Sequence, residues 1–458
     1  MLSPAPRSLR PAPPIRVTLF WGVVVVSPLV LAGLLFAAIG PGPEATPAAV
    51  GSALAVTAGF VLVWAGGVRS LGLWLVAARS APLLPPSRSS SLDPTPTASV
   101  PSDARVLLLC CTADDLDPAS LATSMRQTVP VDTVILDDSS TSSARAAVDR
   151  FAASSGANVV RRSDRRGHKA GNLNHGLAAV ASGYDYAVLL DSDTRLPARF
   201  VESAVATASS SRRIAVVQGL VEARDGATRF SRTLSRLLGM HIRTTHLARA
   251  DVGVSHLLGR GALIRVESLI GVGGFPELVM EDLAASVALR RAGYRIVSDP
   301  KLVSTEEYPR DYRAFRVQYG KTIEGAMELL LAAPRALRGS GLRWWERADL
   351  LFELAHPVAA PLGGIAIMAG SLAFAAIGHV LMLPLWAAAV TSVLVTAPLL
   401  PATARAARSA GVAEAARFLV AGTLLYGSTM VLALRSCAAV LLTGRGTFRV
   451  TPKGTSAA

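Results

Sequence analysis

The chain has 458 residues and carries 46 Lys plus Arg against 32 Asp plus Glu, a formal charge of +14. Its hydrophobic share is 51% and its charged share only 17%. That balance excludes a chain that is mainly disordered and one that is wholly soluble. Three cysteines, Cys110, Cys111 and Cys437, cannot form a disulfide framework and fit a soluble part that faces a reducing cytoplasm.

In chain order, residues 17–40 and 48–68 contain no charged side chain, and each stretch is long enough to cross a bilayer core as a helix. Pro41, Gly42 and Pro43 lie between them, so a membrane hairpin is predicted. Arg7, Arg10 and Arg16 precede the first stretch and Arg69, Arg79 and Arg88 follow or end the second, which places both flanks in the cytoplasm. From Arg105 short apolar strands are predicted at 106–111, 133–136, 158–161, 187–190 and 214–218, with helical spacing at 119–127, 143–154 and 172–181. This alternation implies an α/β fold with a mostly parallel sheet, which binds ligands at the carboxyl ends of its strands. Apolar windows at 355–377, 380–400 and 418–434 predict further membrane segments. The first holds Pro357 and Pro361 and is expected to be the irregular one, because Arg405, Arg408 and Arg417 and the tail cations Arg445, Arg449 and Lys453 cannot all be cytoplasmic after three full crossings. The expected organisation is therefore 1–79 transmembrane hairpin, 80–104 Pro- and Ser-rich linker, 105–310 globular α/β domain, 311–350 amphipathic interface helices, 351–443 C-terminal transmembrane region and 444–458 basic tail.

Acidic clusters stand at two strand ends, Asp137-Asp138-Ser139 and Asp191-Ser192-Asp193. An Asp-x-Asp in an extended segment points two carboxylates the same way and suits a divalent cation shared with phosphates. Between them Arg165-Arg166-Gly167-His168-Lys169-Ala170-Gly171-Asn172-Leu173-Asn174 precedes a predicted helix, a place where backbone N–H groups and a lysine meet an anion. Gly259-Arg260-Gly261-Ala262, Val272-Gly273-Gly274-Phe275, Met280-Glu281-Asp282 and Glu306-Glu307-Tyr308-Pro309 follow. Each alone is unremarkable, since acidic residues commonly cap helices or complement their dipoles.

In this order the motifs resemble those of the family-2 glycosyltransferases, and closely the membrane-embedded branch of cellulose, chitin and hyaluronan synthases. The likeness covers about residues 105–322, and the tail Phe448-Arg449-Val450-Thr451-Pro452-Lys453-Gly454 is similar to that branch's C-terminal signature. The resemblance implies a cytosolic GT-A domain at 105–310 beside an α-helical transmembrane region, in an integral protein of the cell (inner) membrane. It implies inverting transfer of a sugar from a nucleotide-sugar donor, expected to be a UDP-sugar, to a surface glycan or glycolipid; the alternative is a single transfer to a lipid such as polyprenyl phosphate. A catalytically inactive scaffold for polysaccharide export is the remaining alternative. Asp137 and Asp138 match the pair at the nucleoside, Lys169 and Asn172 the loop that frames it, and Asp191 and Asp193 the motif that holds Mg2+ or Mn2+ on the diphosphate. Asp282 matches the general base.

The chain departs from the family twice. Gln318-Tyr319-Gly320-Lys321-Thr322 stands where the synthases carry Gln-x-x-Arg-Trp, so Gln318 and the cation of Lys321 remain on the donor side while the aromatic acceptor platform is missing. Cys110-Cys111-Thr112-Ala113-Asp114-Asp115 replaces a segment that usually brings a tyrosine to the base. Trp344 and Trp345 are expected to anchor an interfacial helix, and His241, His246 and His256 have no metal-ligand spacing. The positive charge comes without a basic helix, an aromatic-interleaved strand or a zinc spacing, so the expected partners are a nucleotide-sugar donor, a glycan or lipid acceptor and the lipid bilayer, and no nucleic acid.

Overall fold

The computed structural model describes residues 14–40, 42, 45–80, 104–224, 226, 228–336, 341–444 and 446–447. Arg7, Arg10 and Arg88, residues 81–103 of the expected linker, Arg445 and the tail signature at 448–454 lie outside the described residues.

Helices α1 (Pro14–Ile39) and α2 (Pro47–Ser80) come first, followed by β1 (Val106–Thr112), α3 (Pro118–Met125), β2 (Asp132–Asp137), α4 (Ser142–Ser155), β3 (Asn158–Val160), α5 (His168–Val180) and β4 (Tyr186–Asp191). The domain continues with α6 (Phe200–Ser209), β5 (Ile214–Ala223), α7 (Arg229–Val252), β6 (Ala262–Arg265), α8 (Val266–Gly271), α9 (Glu281–Arg291) and β7 (Arg295–Glu306). Last come α10 (Tyr312–Ala336), α11 (Trp344–Ala376), α12 (Leu385–Thr396), α13 (Leu400–Ala410) and α14 (Val412–Thr443).

The strands form one seven-stranded sheet in the order β3-β2-β1-β4-β6-β5-β7. β1 runs parallel to β2 and β4, while β6 is antiparallel to both of its neighbours. Continuous apolar runs are what a strand covered on both faces requires. In β1, Val106, Leu108 and Cys110 enter one core with Phe200 and Val201, and Leu107 and Leu109 enter the other with Leu173 and Leu177. The strand order turns back between β1 and β4, so the carboxyl ends of these two strands open a crevice there.

β6 and β7 were not legible as strands: β6 is only four residues long, and the polar positions of β7 obscure its alternation. α5 begins at His168, ahead of the expected start at 172, because Gly167 (φ 70°) and His168 (φ 50°) turn the chain into the helix. Lys169 and Asn172 therefore sit on a helix rather than in a loop before one. The Asp-x-Asp segment is also not extended, since β4 ends at Asp191 and the chain turns through Ser192 and Asp193 to a Thr194 N–H bond on the Asp191 carbonyl, 3.0 Å.

Among the described residues five helical stretches are long and apolar enough to cross a membrane: 15–39, 47–79, 344–376, 385–410, which runs from α12 through α13, and 412–443. Large side chains such as Leu19, Val23, Leu372, Val393 and Leu424 stand exposed on them, as a lipid-facing surface needs. α2 and α11 approach backbone to backbone, and a Cβ on Gly59 would lie 2.5 Å from the Gly363 carbonyl oxygen. Pro357 and Pro361 lie inside α11 without ending it. The expected irregularity at 355–377 is thus corrected: the helical break falls at the 3-10 turn Ala397–Leu399, which contains Pro398 and precedes Pro401. α11 also runs straight through the boundary expected at residue 350.

Beyond that turn α13 packs on the amphipathic α7, where Leu234, Leu237 and Met240 meet Leu399, Ala402 and Ala406. A buried ionic cluster ties α2, α7 and α11 together. Asp349, with a side chain 1% exposed, accepts from Arg69 at 2.7 Å and Arg249 at 2.7 Å, and from the Val254 N–H at 2.9 Å. The segment that follows α7 and leads into the site is thereby fastened to the membrane helices.

Candidate active site

A cavity of about 680 Å³ opens at the carboxyl ends of β1 and β4 and reaches α9 and α10. Asp138, Lys169, Asn172, Asp191, Asp193, Asp282, Gln318 and Lys321 all line it. Of the residues expected at the site, Asp137 alone is turned away from its wall. Its carboxylate is fully buried, accepting from Arg161 at 2.7 Å and from the Ser139 N–H at 2.9 Å.

Asp138 is held by a bidentate fork from Arg162, with Nε–Oδ1 2.9 Å and Nη2–Oδ2 2.6 Å. The same guanidinium donates to the His168 carbonyl at 2.7 Å, so one side chain organises both the acidic turn and the entry to α5. Arg161 and Arg162 were missed in the sequence. Their signal was two cations at the end of β3, in register with a parallel strand that ends in two aspartates.

Lys169 Nζ lies 2.5 Å from Asp191 Oδ1, 3.1 Å from the Gly259 carbonyl and 3.9 Å from Glu281. Burial works against its ammonium, but Asp191 and Glu281 outweigh that and raise its pKa. Lys321, on α10, has its pKa lowered by burial, with Asp191 opposing. Asn172 donates to the Leu136 carbonyl at 3.0 Å and so locks the start of α5 to the end of β2.

Asp193 accepts the Glu307 N–H at 3.0 Å and is 5% exposed. Among the described residues no group of three or more His, Cys, Asp or Glu is placed to hold a metal ion alone. Two carboxylates on one cavity wall nevertheless fit a hard cation such as Mg2+ or Mn2+, which commonly takes one or two carboxylates and completes its shell with substrate phosphates.

Asp282 opens α9, accepting the Leu283 N–H at 2.7 Å. Burial raises its pKa, opposed by that N–H, Lys169 and Arg260. Burial likewise lifts Glu281 to about 7, with Lys169 pulling down and Asp282 pushing up. Two carboxylates in the first turn of a helix gain from its dipole, yet here desolvation prevails. The result is a pair of buried carboxylates with raised pKa beside a lysine.

Thr322 lines the cavity, its hydroxyl bonded to the Gln318 carbonyl at 3.0 Å. The lining does not include Tyr319, Trp344 or Trp345. Tyr319 packs among Ile323, Ala433 and Cys437, and Trp345 against Val17 and Trp21. His256 reaches the cavity edge and meets His246 edge to face at 5.9 Å. Burial lowers these two imidazoles to about 4 and about 3, with His256 and Arg249 adding to it at His246 and Arg249 at His256.

A family model described as "Glycosyl transferase family group 2" matches residues 186–429, more than half of the chain. The glucans biosynthesis glucosyltransferase H of Rhodopseudomonas palustris (strain BisA53) is 27% identical over 236 residues, 48% of this chain and 32% of that protein. The protein of the same name from Caulobacter vibrioides (strain NA1000 / CB15N) is 27% identical over 228 residues, 46% of this chain and 33% of its own. The chain thus spans about a third of the length of these curated relatives. Among solved structures, the mannosyltransferase PcManGT from Pyrobaculum calidifontis in complex with GDP-Man and Mn2+ superposes with a TM-score of 0.56 at 21% identity, covering 84% of this chain and 99% of that one. This likeness shows the fold, an α/β GT-A domain with a helical membrane region. The chain belongs to the family-2 glycosyltransferases.

Proposed function

We propose that the protein transfers a sugar from a nucleotide-sugar donor to a glycan or lipid-linked acceptor, with inversion, at the cytoplasmic face of the cell membrane. The observation that carries this reading is the convergence of Asp138, Asp191, Asp193, Asp282 and Lys321 on one cavity, although they come from four separate elements.

In this reading Asp138, backed by Arg162, receives the nucleoside, and Asp191 with Asp193 would hold Mg2+ or Mn2+, which when bound would supply positive charge beside the diphosphate. Lys169 and Lys321 add positive charge beside the same phosphates. Asp282 takes the proton of the acceptor hydroxyl as its oxygen bonds to the anomeric carbon, and the bond from that carbon to the diphosphate oxygen breaks on the opposite face. Burial raises the pKa of Asp282, and a carboxylate with a raised pKa is a stronger base than one in water.

Single transfer to a lipid acceptor is favoured over processive growth by one feature: the cavity presents Thr322 where an indole would form a floor, and Tyr319, Trp344 and Trp345 do not line it. An aromatic side chain buries roughly 150–250 Å². The test is nucleoside-diphosphate release by the protein in nanodiscs with a panel of UDP- and GDP-sugars and polyprenyl phosphate. One donor is expected to turn over, and release only with acceptor supports transfer. No turnover across the panel refutes the reading.

A further inference from the structure

The Gly259-Arg260-Gly261 turn is built for a purpose that neither the base nor the metal motif explains. Gly259 (φ 73°) and Gly261 (φ 57°) take left-handed conformations, and a Cβ on Gly261 would lie 2.4 Å from Ser304 Oγ. Gln218, fully buried, pins the turn by donating to the carbonyls of Arg260 at 3.0 Å and Gly261 at 3.1 Å and accepting the Leu258 N–H at 2.8 Å. The backbone is thus held from behind, and the Arg260 side chain reaches the cavity.

There its guanidinium forms a two-point pair with Glu306 and donates to the Leu258 carbonyl at 2.7 Å. Glu306 is 5% exposed, so this pair is anchored rather than solvated. Nε of Arg260 stands 3.8 Å from Asp191 Oδ2. A guanidinium has five N–H donors, and these bonds use three, which leaves one on each terminal nitrogen for a ligand. Lys321, on the other wall, is a point charge and cannot make a planar two-point contact.

We infer that Arg260 binds the diphosphate of the donor and of the departing product, supplying the planar fork that Lys321 lacks, with Glu306 fixing its orientation. The inference rests on the reading of the cavity as a nucleotide-sugar site. It assigns the Gly-Arg-Gly turn to the leaving group, and it locates the strongest phosphate contact on the sheet side of the cavity rather than on α10.

The test uses inorganic pyrophosphate with Mn2+ as a base-free probe, measured by calorimetry on the full chain in nanodiscs. Arg260→Met should weaken pyrophosphate binding about 10- to 100-fold, as expected for loss of charged hydrogen bonds, while Mn2+ alone binds as before. Arg260→Lys, which keeps the charge and a contact to Glu306, should weaken it roughly tenfold and serves if the Met variant does not fold. Unchanged pyrophosphate affinity in Arg260→Lys or Arg260→Met overturns the inference and leaves the cavity reading standing. Absence of Mn2+-pyrophosphate binding in the unmodified protein overturns both. Parallel loss of pyrophosphate and Mn2+ binding shows a structural role only and also overturns it.

Discussion

Replacing Asp282 by Asn removes a proton acceptor from the cavity and alters little else. The amide oxygen can still accept the Leu283 N–H, which the carboxylate accepts at 2.7 Å. The two side chains have nearly the same volume, which matters because Asp282 Oδ2 lies only 3.3 Å from where a Cβ on Gly259 would be. Asp138, Lys169 and Asp193 keep their partners, so the donor should bind within about threefold of its original affinity. A general base contributes typically about 10²–10⁴-fold, or roughly 3–5 kcal/mol of barrier. The expected outcome is that loss in kcat with an almost unchanged donor Kd, since the base acts in the transition state rather than in the bound ground state. The assay pairs nucleoside-diphosphate release with calorimetric donor binding. The pH profile supplies a second check. A base works only when deprotonated, and burial raises the pKa of Asp282 and lifts its neighbour Glu281 to about 7. Activity in the unmodified protein should therefore fall as pH drops through a limb above the ordinary carboxylate range, and the two carboxylates should titrate as a pair. A loss below about tenfold, or an acid limb at ordinary carboxylate pH, would refute the assignment of Asp282.

Chelation with EDTA should stop turnover and Mn2+ or Mg2+ should restore it, while Asp193→Ala loses donor affinity as well as rate; full activity in excess chelator removes the metal from the mechanism. Asp349→Ala leaves Arg69 and Arg249 with Glu353 as their remaining carboxylate, at 2.9 and 3.9 Å, so stability should fall by about 1–3 kcal/mol, read as a lower melting temperature in detergent; an unchanged melting temperature contradicts the role of this cluster. The product made from the preferred donor in membranes should be short or singly extended, because Thr322 offers no floor for re-docking a chain end; a long polymer on sizing gels would overturn that. Trp344→Ala and Trp345→Ala should leave product length unchanged, since neither side chain lines the cavity.

What the sequence alone determined follows from local chemistry. The charge-free stretches at 17–40 and 48–68, the apolar strands ending in Asp137-Asp138 and Asp191, and the first-turn Glu281-Asp282 are patterns within a few residues of one another, and periodicity and composition report them directly. Their order along the chain was enough to suggest the family and to select the residues that line the cavity. Tertiary structure decided what depends on distant partners. Asp138 faces the cavity and Asp137 does not because Arg161 and Arg162, 24 residues on, each take one of the pair. Arg260 became a cavity residue only through Gln218 behind its turn and Glu306 beside it. The helical break falls at Ala397–Leu399 rather than at Pro357 and Pro361; α11 packs closely on α2 and continues through its prolines, while α13 after the turn covers α7. A proline's local cost can be read from sequence, but whether a helix breaks there depends on the neighbours that pack against it.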